Sequence, residues 1–373
     1  MSIKTAYSTK QNIQEAVKEI GQEFKDFPTR VVIYFASSIY PPEDLASSMG
    51  KEFPVPLLFG CSTAGEMITG KMLKNSLVAM ALGEEIIGDA AVEVVENLPD
   101  IKQVEKAFDS FSRYYSKPVS QMDPEEYVGI ILIDGLSMAE EIVMDRIGDL
   151  TNLLFVGGSA ADDLKFQQTH VYCGGKAYTN AAVLALLKPA VKFDIIKTQS
   201  FAVLEHKLTA SRVKPEEREV LEFNGIPAVE AYSSALSVSP AEAGNYLMPN
   251  PVGLLVEQEV FVRGPLHLKG NSMVFACQIL EGMDVHLLKA TDILEDTRRV
   301  VEEKKQEMNG LSGLIEFNCA FRTLVLEGNN QAGEYGEIFS HVPTIGFSTY
   351  GEEYIGHINH TSTMLALGLP DKG

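Results

Sequence analysis

Long apolar runs, paired cysteines and clustered positive charge are what this sequence has least of. No apolar run approaches the roughly 20 residues that a membrane-spanning helix needs, so a helical membrane protein is not expected. The four cysteines, Cys61, Cys173, Cys277 and Cys319, form no CxxC pair and lack zinc-ligand spacing. Neither a disulfide framework nor a metal site follows from them. Lys and Arg total 31 against 51 Asp and Glu, a formal charge of −20. A field of that sign repels phosphate backbones and anionic lipid, which argues against nucleic acid and membrane partners. Neither Gly-x-x-x-x-Gly-Lys-Ser/Thr nor Gly-x-Gly-x-x-Gly follows a strand-like run, so no nucleotide cofactor is expected. Met1 leads into polar residues without the apolar stretch of a signal peptide. A reduced, soluble, cytoplasmic chain is the expectation.

What is present is a soluble globular composition, 45% hydrophobic and 22% charged over 373 residues. That length favours two domains over one. One short motif occurs three times. Gly60–Glu66 reads Gly-Cys-Ser-Thr-Ala-Gly-Glu, and Gly346–Glu352 reads Gly-Phe-Ser-Thr-Tyr-Gly-Glu. A worn copy, Gly157–Asp163, reads Gly-Gly-Ser-Ala-Ala-Asp-Asp. In each, an apolar run delivers the chain to glycine, then small or hydroxylic residues, then an acid. Such a turn at a strand end can offer N–H groups, hydroxyls and a carboxylate to a ligand.

The surroundings repeat as well. Arg30–Ala36, a helix opened by Pro41 and Pro42, Val55–Phe59, the motif and Ser76–Leu82 make strand, helix, strand, motif, strand. Val128–Asp134, Ser137–Leu150, Asn152–Val156 and Ala181–Leu187 repeat that order around the second motif, with a hairpin of Thr169–Cys173 and Ala181–Leu187 expected about Gly174–Gly175. Leu314–Cys319, a helix at Gln331–Phe339, Thr344–Ile345 and Thr361–Leu367 do so again. An amphipathic helix is expected over Ser8–Phe24, capped by Ser8 or Thr9. Between the second and third copies, Leu254–Val262, Ser272–Gln278 and Asp284–Leu288 read as an antiparallel meander. The fold class is therefore α/β to α+β: repeated strand–helix–strand–strand units with mixed sheets, plus an antiparallel β insertion in the C-terminal half. Lys214–Glu219, charged and led by proline, suggests a boundary between domains 1–220 and 221–373.

Several of these residues together resemble the FIST family (F-box and intracellular signal transduction). They are the three motifs, Asn224-Gly225-Ile226-Pro227-Ala228 with Tyr232, Pro251, Gly253, Arg263, Asn318-Cys319-Ala320-Phe321-Arg322, and Asn359 with Thr361. The resemblance spans an N half of about residues 28–220 and a C half of about 222–368. It implies an intracellular sensor of a small ligand, with amino acids as the ligand class. The sequence ends at Gly373 without an output module, so the expectation is that a signal passes to a separate partner protein.

An amino-acid ligand needs a cation or N–H groups for its carboxylate and acids for its ammonium. Arg322 offers the first, as a fork suited to bidentate contact. Glu66, Asp162, Asp163 and Glu352 offer the second, and Ser62, Thr63, Ser159, Ser348, Thr349 and Asn359 are orienting groups. Each acid and hydroxyl can instead bond its own turn. A hydrolase built on Cys61 or Ser62 is the alternative, since Gly60–Ala64 approaches a nucleophile elbow. The second glycine comes one residue too late for that turn, and spacing marks no histidine partner. No catalytic set and no metal site are assigned; His357 and His360 lack a third ligand nearby.

Overall fold

The computed structural model of the chain describes residues 2–54 and 57–370. Three units share one element order. Unit 1 runs β1 (Ile3–Ser8), α1 (Ile13–Phe24), β2 (Val31–Ser37), α2 (Pro42–Glu52) and β3 (Leu57–Thr63). It continues through a hairpin, β4 (Glu66–Ile68) and β5 (Lys71–Leu73), to a return strand, β6 (Leu77–Leu82). Unit 2 runs β7 (Ile87–Glu96), α3 (Ile101–Tyr114), β8 (Val128–Ile133), α4 (Glu140–Leu150) and β9 (Phe155–Ser159). Its hairpin is β10 (Val171–Cys173) with β11 (Lys176–Tyr178), and its return strand is β12 (Ala181–Pro189).

Unit 3 opens with β13 (Phe193–Gln199) and is then interrupted. The insertion holds β14 (Phe201–Lys214), β15 (Glu219–Phe223), β16 (Ile226–Pro227), α5 (Ala228–Leu236), β17 (Val252–Val256) and β18 (Glu259–Arg263). It ends with β19 (Pro265–Lys269), β20 (Ser272–Phe275) and β21 (Asp284–Ala290). Unit 3 resumes with α6 (Ile293–Glu307), β22 (Leu311–Cys319), α7 (Ala320–Gly328), α8 (Ala332–Glu337) and β23 (Thr344–Thr349). The hairpin β24 (Glu352–Tyr354) and β25 (His357–Ile358) leads to the return strand β26 (Thr361–Gly368).

Each unit centres on a parallel pair flanked by its antiparallel return strand: β2 with β3 and β6, β8 with β9 and β12, β22 with β23 and β26. The hairpins are exchanged. That of unit 2 adds to β3, that of unit 3 adds to β9, and that of unit 1 adds to β23. The exchange closes a ring, so no unit completes its own six-stranded sheet. The inserted strands form a separate antiparallel sheet on which α5 packs. This is the mixed α/β architecture with a C-terminal antiparallel insertion that the sequence pattern implies.

The central strands are buried on both faces, which is why they read as unbroken apolar runs rather than alternating ones. Val31, Ile33 and Phe35 of β2 point into a core shared by all three sheets, beside Ile130, Phe317 and Phe347. Val32, Tyr34 and Ala36 point the other way, beneath α1 and α2. The stripe Ile13, Ala16, Val17, Ile20 and Phe24 keeps α1 on that outer face.

Local readings change in several places. The helix expected over Ser8–Phe24 begins at Ile13, Ile3–Ser8 before it is an edge strand, and Ser8 and Thr9 do not cap α1. Asn12 does, accepting the Glu15 N–H at 3.1 Å. Gly174–Gly175 turn β10 into the short β11, while β12 returns to its own unit's sheet. Leu254–Val262 splits into two strands at Glu257, whose φ of +56° turns the chain without glycine. A helix begins directly after β22 at Ala320, ahead of the shorter one expected at Gln331–Phe339. Lys214–Glu219 is the tight turn between β14 and β15, inside the inserted sheet. Val55 and Pro56, the start of one expected strand, lie outside the described residues.

Candidate functional site

The exchange of hairpins brings the three motifs together. Backbone hydrogen bonds link them in a cycle: Ala64 N–H to Ser348 O (3.1 Å), Tyr350 N–H to Ser159 O (3.2 Å), and Ala161 N–H to Ser62 O (2.9 Å). Ser348 N–H to Gly65 O and Ser159 N–H to Gly351 O, both 2.8 Å, tie two junctions a second time. Ala64, Ala161 and Tyr350 occupy the same position in the three copies and pack against one another where the turns meet.

Most motif oxygens already have partners within the turns. Glu66 accepts from Thr63 Oγ1 and from the N–H and hydroxyl of Ser76 (3.1 and 2.6 Å). Glu352 accepts from Thr349 Oγ1 (2.5 Å) and from the N–H and hydroxyl of Thr361 (3.1 and 2.6 Å). The two clasps are the same device, each tying a strand end to the start of its return strand. Burial raises both carboxyls to about 7, although the hydrogen bonds pull the other way. In unit 2 the duty passes to Asp134, which accepts from Thr169 Oγ1 and the Asn180 N–H. Asp163, which matches Glu66 and Glu352 in the motif, is thereby released from the clasp, and its neighbour Asp162 serves another turn. Asp162 takes the N–H groups of Phe166, Gln167 and Gln168 and the Tyr350 hydroxyl, and these outweigh burial to lower its pKa. Asp163 is held by Ser37 Oγ and by the N–H and hydroxyl of Ser38. Ser62 Oγ accepts the His170 backbone N–H at 3.0 Å, and burial pushes the Cys61 thiol well up, a poor setting for a thiolate nucleophile.

Ser159 and Asn359 fall at a junction covered by the inserted sheet. Ser159 Oγ lies between two carboxyls, 3.1 Å from Glu353 and 3.3 Å from Glu140, and its single O–H is shared between them. Arg218, from the insertion, bridges Glu140 and Glu141 at 2.7 and 2.6 Å. His357 Nδ1 shares a 2.9 Å hydrogen bond with Glu353. Burial alone would lower the His357 pKa, but Glu353, Glu140 and Glu141 outweigh it and hold it at about 9. Asn359 Oδ1 accepts the Gly264 N–H at 3.4 Å, while its Nδ2 has no partner within the protein. Among the described residues no group of His, Cys, Asp and Glu is arranged to hold a metal ion.

Arg322 touches the motif network at one point, through Asn318, which donates to the Thr323 hydroxyl (3.1 Å) that meets Ser348 Oγ at 2.6 Å. It is 2% exposed in the first turn of α7. Its Nε donates to Asn318 Oδ1 (2.9 Å), Nη1 to Ser200 Oγ (3.4 Å) and Nη2 to Thr297 Oγ1 (2.8 Å). Guanidinium carries five N–H donors, so two are left over, and all three acceptors are neutral. A buried charge without a counter-ion is costly. The nearby Glu316 makes no ion pair with it; burial raises that carboxyl, which is held by Tyr335 and Ser362. Arg322 lines a cavity of about 150 Å³ with Ser200, Phe201, Ala290, Thr291, Val325 and His360. The cavity lies at the neck of the insertion, where the chain leaves β13 and re-enters α6.

Sequence reasoning singled out Arg322 but not its neighbour His360. A left-handed residue stands one or two positions ahead of each return strand: Asn75 (φ +53°), Asn180 (φ +46°) and His360 (φ +55°). Asparagine adopts that region most readily, so histidine in the third copy is the exception. Its ring stacks on Phe321 at 4.3 Å and meets Phe201 edge-on at 5.4 Å. Aligning the three copies through the return strands is the signal that finds it.

A cyclic set of exchanged units with one inserted sheet and a largely apolar cavity holding a buried cation is a scaffold suited to binding. The FIST N domain matches residues 30–226 and the FIST C domain residues 228–354. The chain belongs to the FIST family, which is associated with sensing in signal transduction. It is 24% identical over 340 residues to an uncharacterized protein of Methanocaldococcus jannaschii, a match covering 86% of this chain and 65% of that protein. The chain thus matches less than two thirds of that relative's length. Among the described residues no helix is long and apolar enough to cross a membrane.

Proposed function

We propose that this chain is an intracellular small-ligand sensor whose ligand, an amino acid or related carboxylated metabolite, seats in the neck cavity. The observation that carries the reading is Arg322: a buried guanidinium with neutral partners and two unused donors, lining a cavity. A carboxylate there would supply the missing counter-charge through a charge-assisted, bidentate contact. The cavity walls come from both the insertion and unit 3, so a bound ligand would bias the position of the inserted sheet against the ring. A separate cytoplasmic output protein would read that position.

A thermal-shift panel of amino acids and small carboxylates tests the proposal. A ligand at a hundred times its Kd should raise Tm by about 3 °C for a chain of this size. The shift should vanish in Arg322→Gln. Failure of every compound to shift folded protein, or a shift untouched by that substitution, removes the neck cavity as the ligand site.

A further inference from the structure

We infer that the neck cavity takes a short monocarboxylate with an apolar tail, of propionate or butyrate size, in preference to a zwitterionic amino acid. This rests on the reading of that cavity as the ligand site and narrows its ligand by size, wall chemistry and charge.

Size sets the first limit. An apolar protein cavity of about 150 Å³ holds a ligand the size of benzene, on the order of six non-hydrogen atoms. The neck cavity is of that volume. Longer acids and dicarboxylates of succinate size exceed it, whereas alanine is no larger than butyrate and is separated from it by wall chemistry.

Wall chemistry sets the second. Phe201, Met248, Pro249, Ile293 and Val325 present hydrocarbon to the space. Polar groups come from Arg322, Ser200, Thr291 and His360, and no acidic side chain is among the lining residues. An ammonium group placed there would be desolvated beside a guanidinium with no carboxylate to meet it. A methyl or ethyl tail would instead lie against apolar walls.

Charge sets the third. Arg322 is the one cationic side chain of the lining. His360 adds none near neutral pH, because burial and the neighbouring Arg322 push its imidazole down to about 3. One positive charge matches one carboxylate; a dicarboxylate would leave its second charge buried and unpaired. Pro249, Ala290 and Thr291 line the cavity and are exposed, so a small acid has a way in.

The test is calorimetric and thermal-shift titration of the full chain at pH 7 with propionate, butyrate, alanine and succinate, each against equal sodium chloride. Two variants accompany it: Arg322→Gln, and Ala290→Phe, which blocks the mouth and leaves Arg322 in place. Propionate or butyrate is expected to bind at least tenfold tighter than alanine or succinate. Ala290→Phe should weaken that binding at least tenfold without lowering the Tm of the ligand-free protein. Alanine binding as tightly as propionate, with Ala290→Phe weakening both, overturns the ligand class and leaves the neck cavity as the site. Binding that neither variant changes, or none by any of the four, overturns the cavity reading and the class with it.

Discussion

Units 1 and 3 carry the same strands, the same clasp and the same exchanged hairpin, yet differ at one link. In unit 1 residues 9–12 join β1 to α1, and the Tyr40 hydroxyl donates across to the Lys10 carbonyl at 2.6 Å. In unit 3 residues 200–292 fill the corresponding link. There Arg322 reaches Ser200 and Thr297, and His360 stands where unit 1 has Asn75. The motif turns, which repeat, tie strands together; the residues that do not repeat surround the cavity. Repetition marks the scaffold, and its breakdown marks the candidate site.

The largest expected break concerns the junctions between units. The junction of units 2 and 3 lies under the insertion and is held by Arg218 between Glu140 and Glu141, whereas at the junction of units 1 and 2 Asp163 is held by Ser37 and Ser38. Arg218→Ala leaves two carboxylates buried beside Glu353 and should cost about 3–5 kcal/mol in urea unfolding. A cost below about 1 kcal/mol would mean the insertion is not anchored through this triad.

Next come the matched clasps. Burial raises Glu66 and Glu352 from an ordinary 4.5 to about 7 in the folded chain. The folded state therefore holds these protons more tightly than the unfolded one. The stability they contribute is full below about 4.5 and is lost as pH rises through 7. Unfolding free energy should be about 2–3 kcal/mol higher at pH 5 than at pH 8 for each carboxyl. The double variant Glu66→Gln, Glu352→Gln should flatten that slope. A wild-type profile that is already flat contradicts the shared clasp.

The clasps also show what was legible in the sequence. Gly60–Glu66 and Gly346–Glu352 announce a common turn, and the apolar return strands Leu77–Leu82 and Thr361–Leu367 announce common burial. The destination of the turn was hidden. Glu66–Ile68 is three residues long and pairs with Ile345–Phe347, a contact across most of the chain that no local pattern encodes. The edge strands Ile3–Ser8 and Phe193–Gln199 escaped because edges are half-solvated and lack a continuous apolar run. Arg322 was visible as a strand-end cation. Its isolation from carboxylates depends on α6 and the insertion neck, which only the folded chain brings to it.

Two smaller effects sharpen the comparison at the link itself. Tyr40→Phe removes the unit 1 hydroxyl bond and should cost about 1 kcal/mol, read from the urea midpoint; no change would show that the bond is not what closes that site. His360→Asn installs the residue of units 1 and 2 but gives up the ring's stacking on Phe321, so it should cost about 1 kcal/mol while weakening propionate binding. Unaltered binding would remove His360 from the cavity wall.

Hydrogen exchange with and without propionate tests most directly where a ligand sits. Added protection is predicted at residues 199–201, 290–293 and 320–326, with Gly60–Glu66 and Gly157–Asp163 unchanged. Protection confined to the motif turns, with the neck unaffected, would contradict the account.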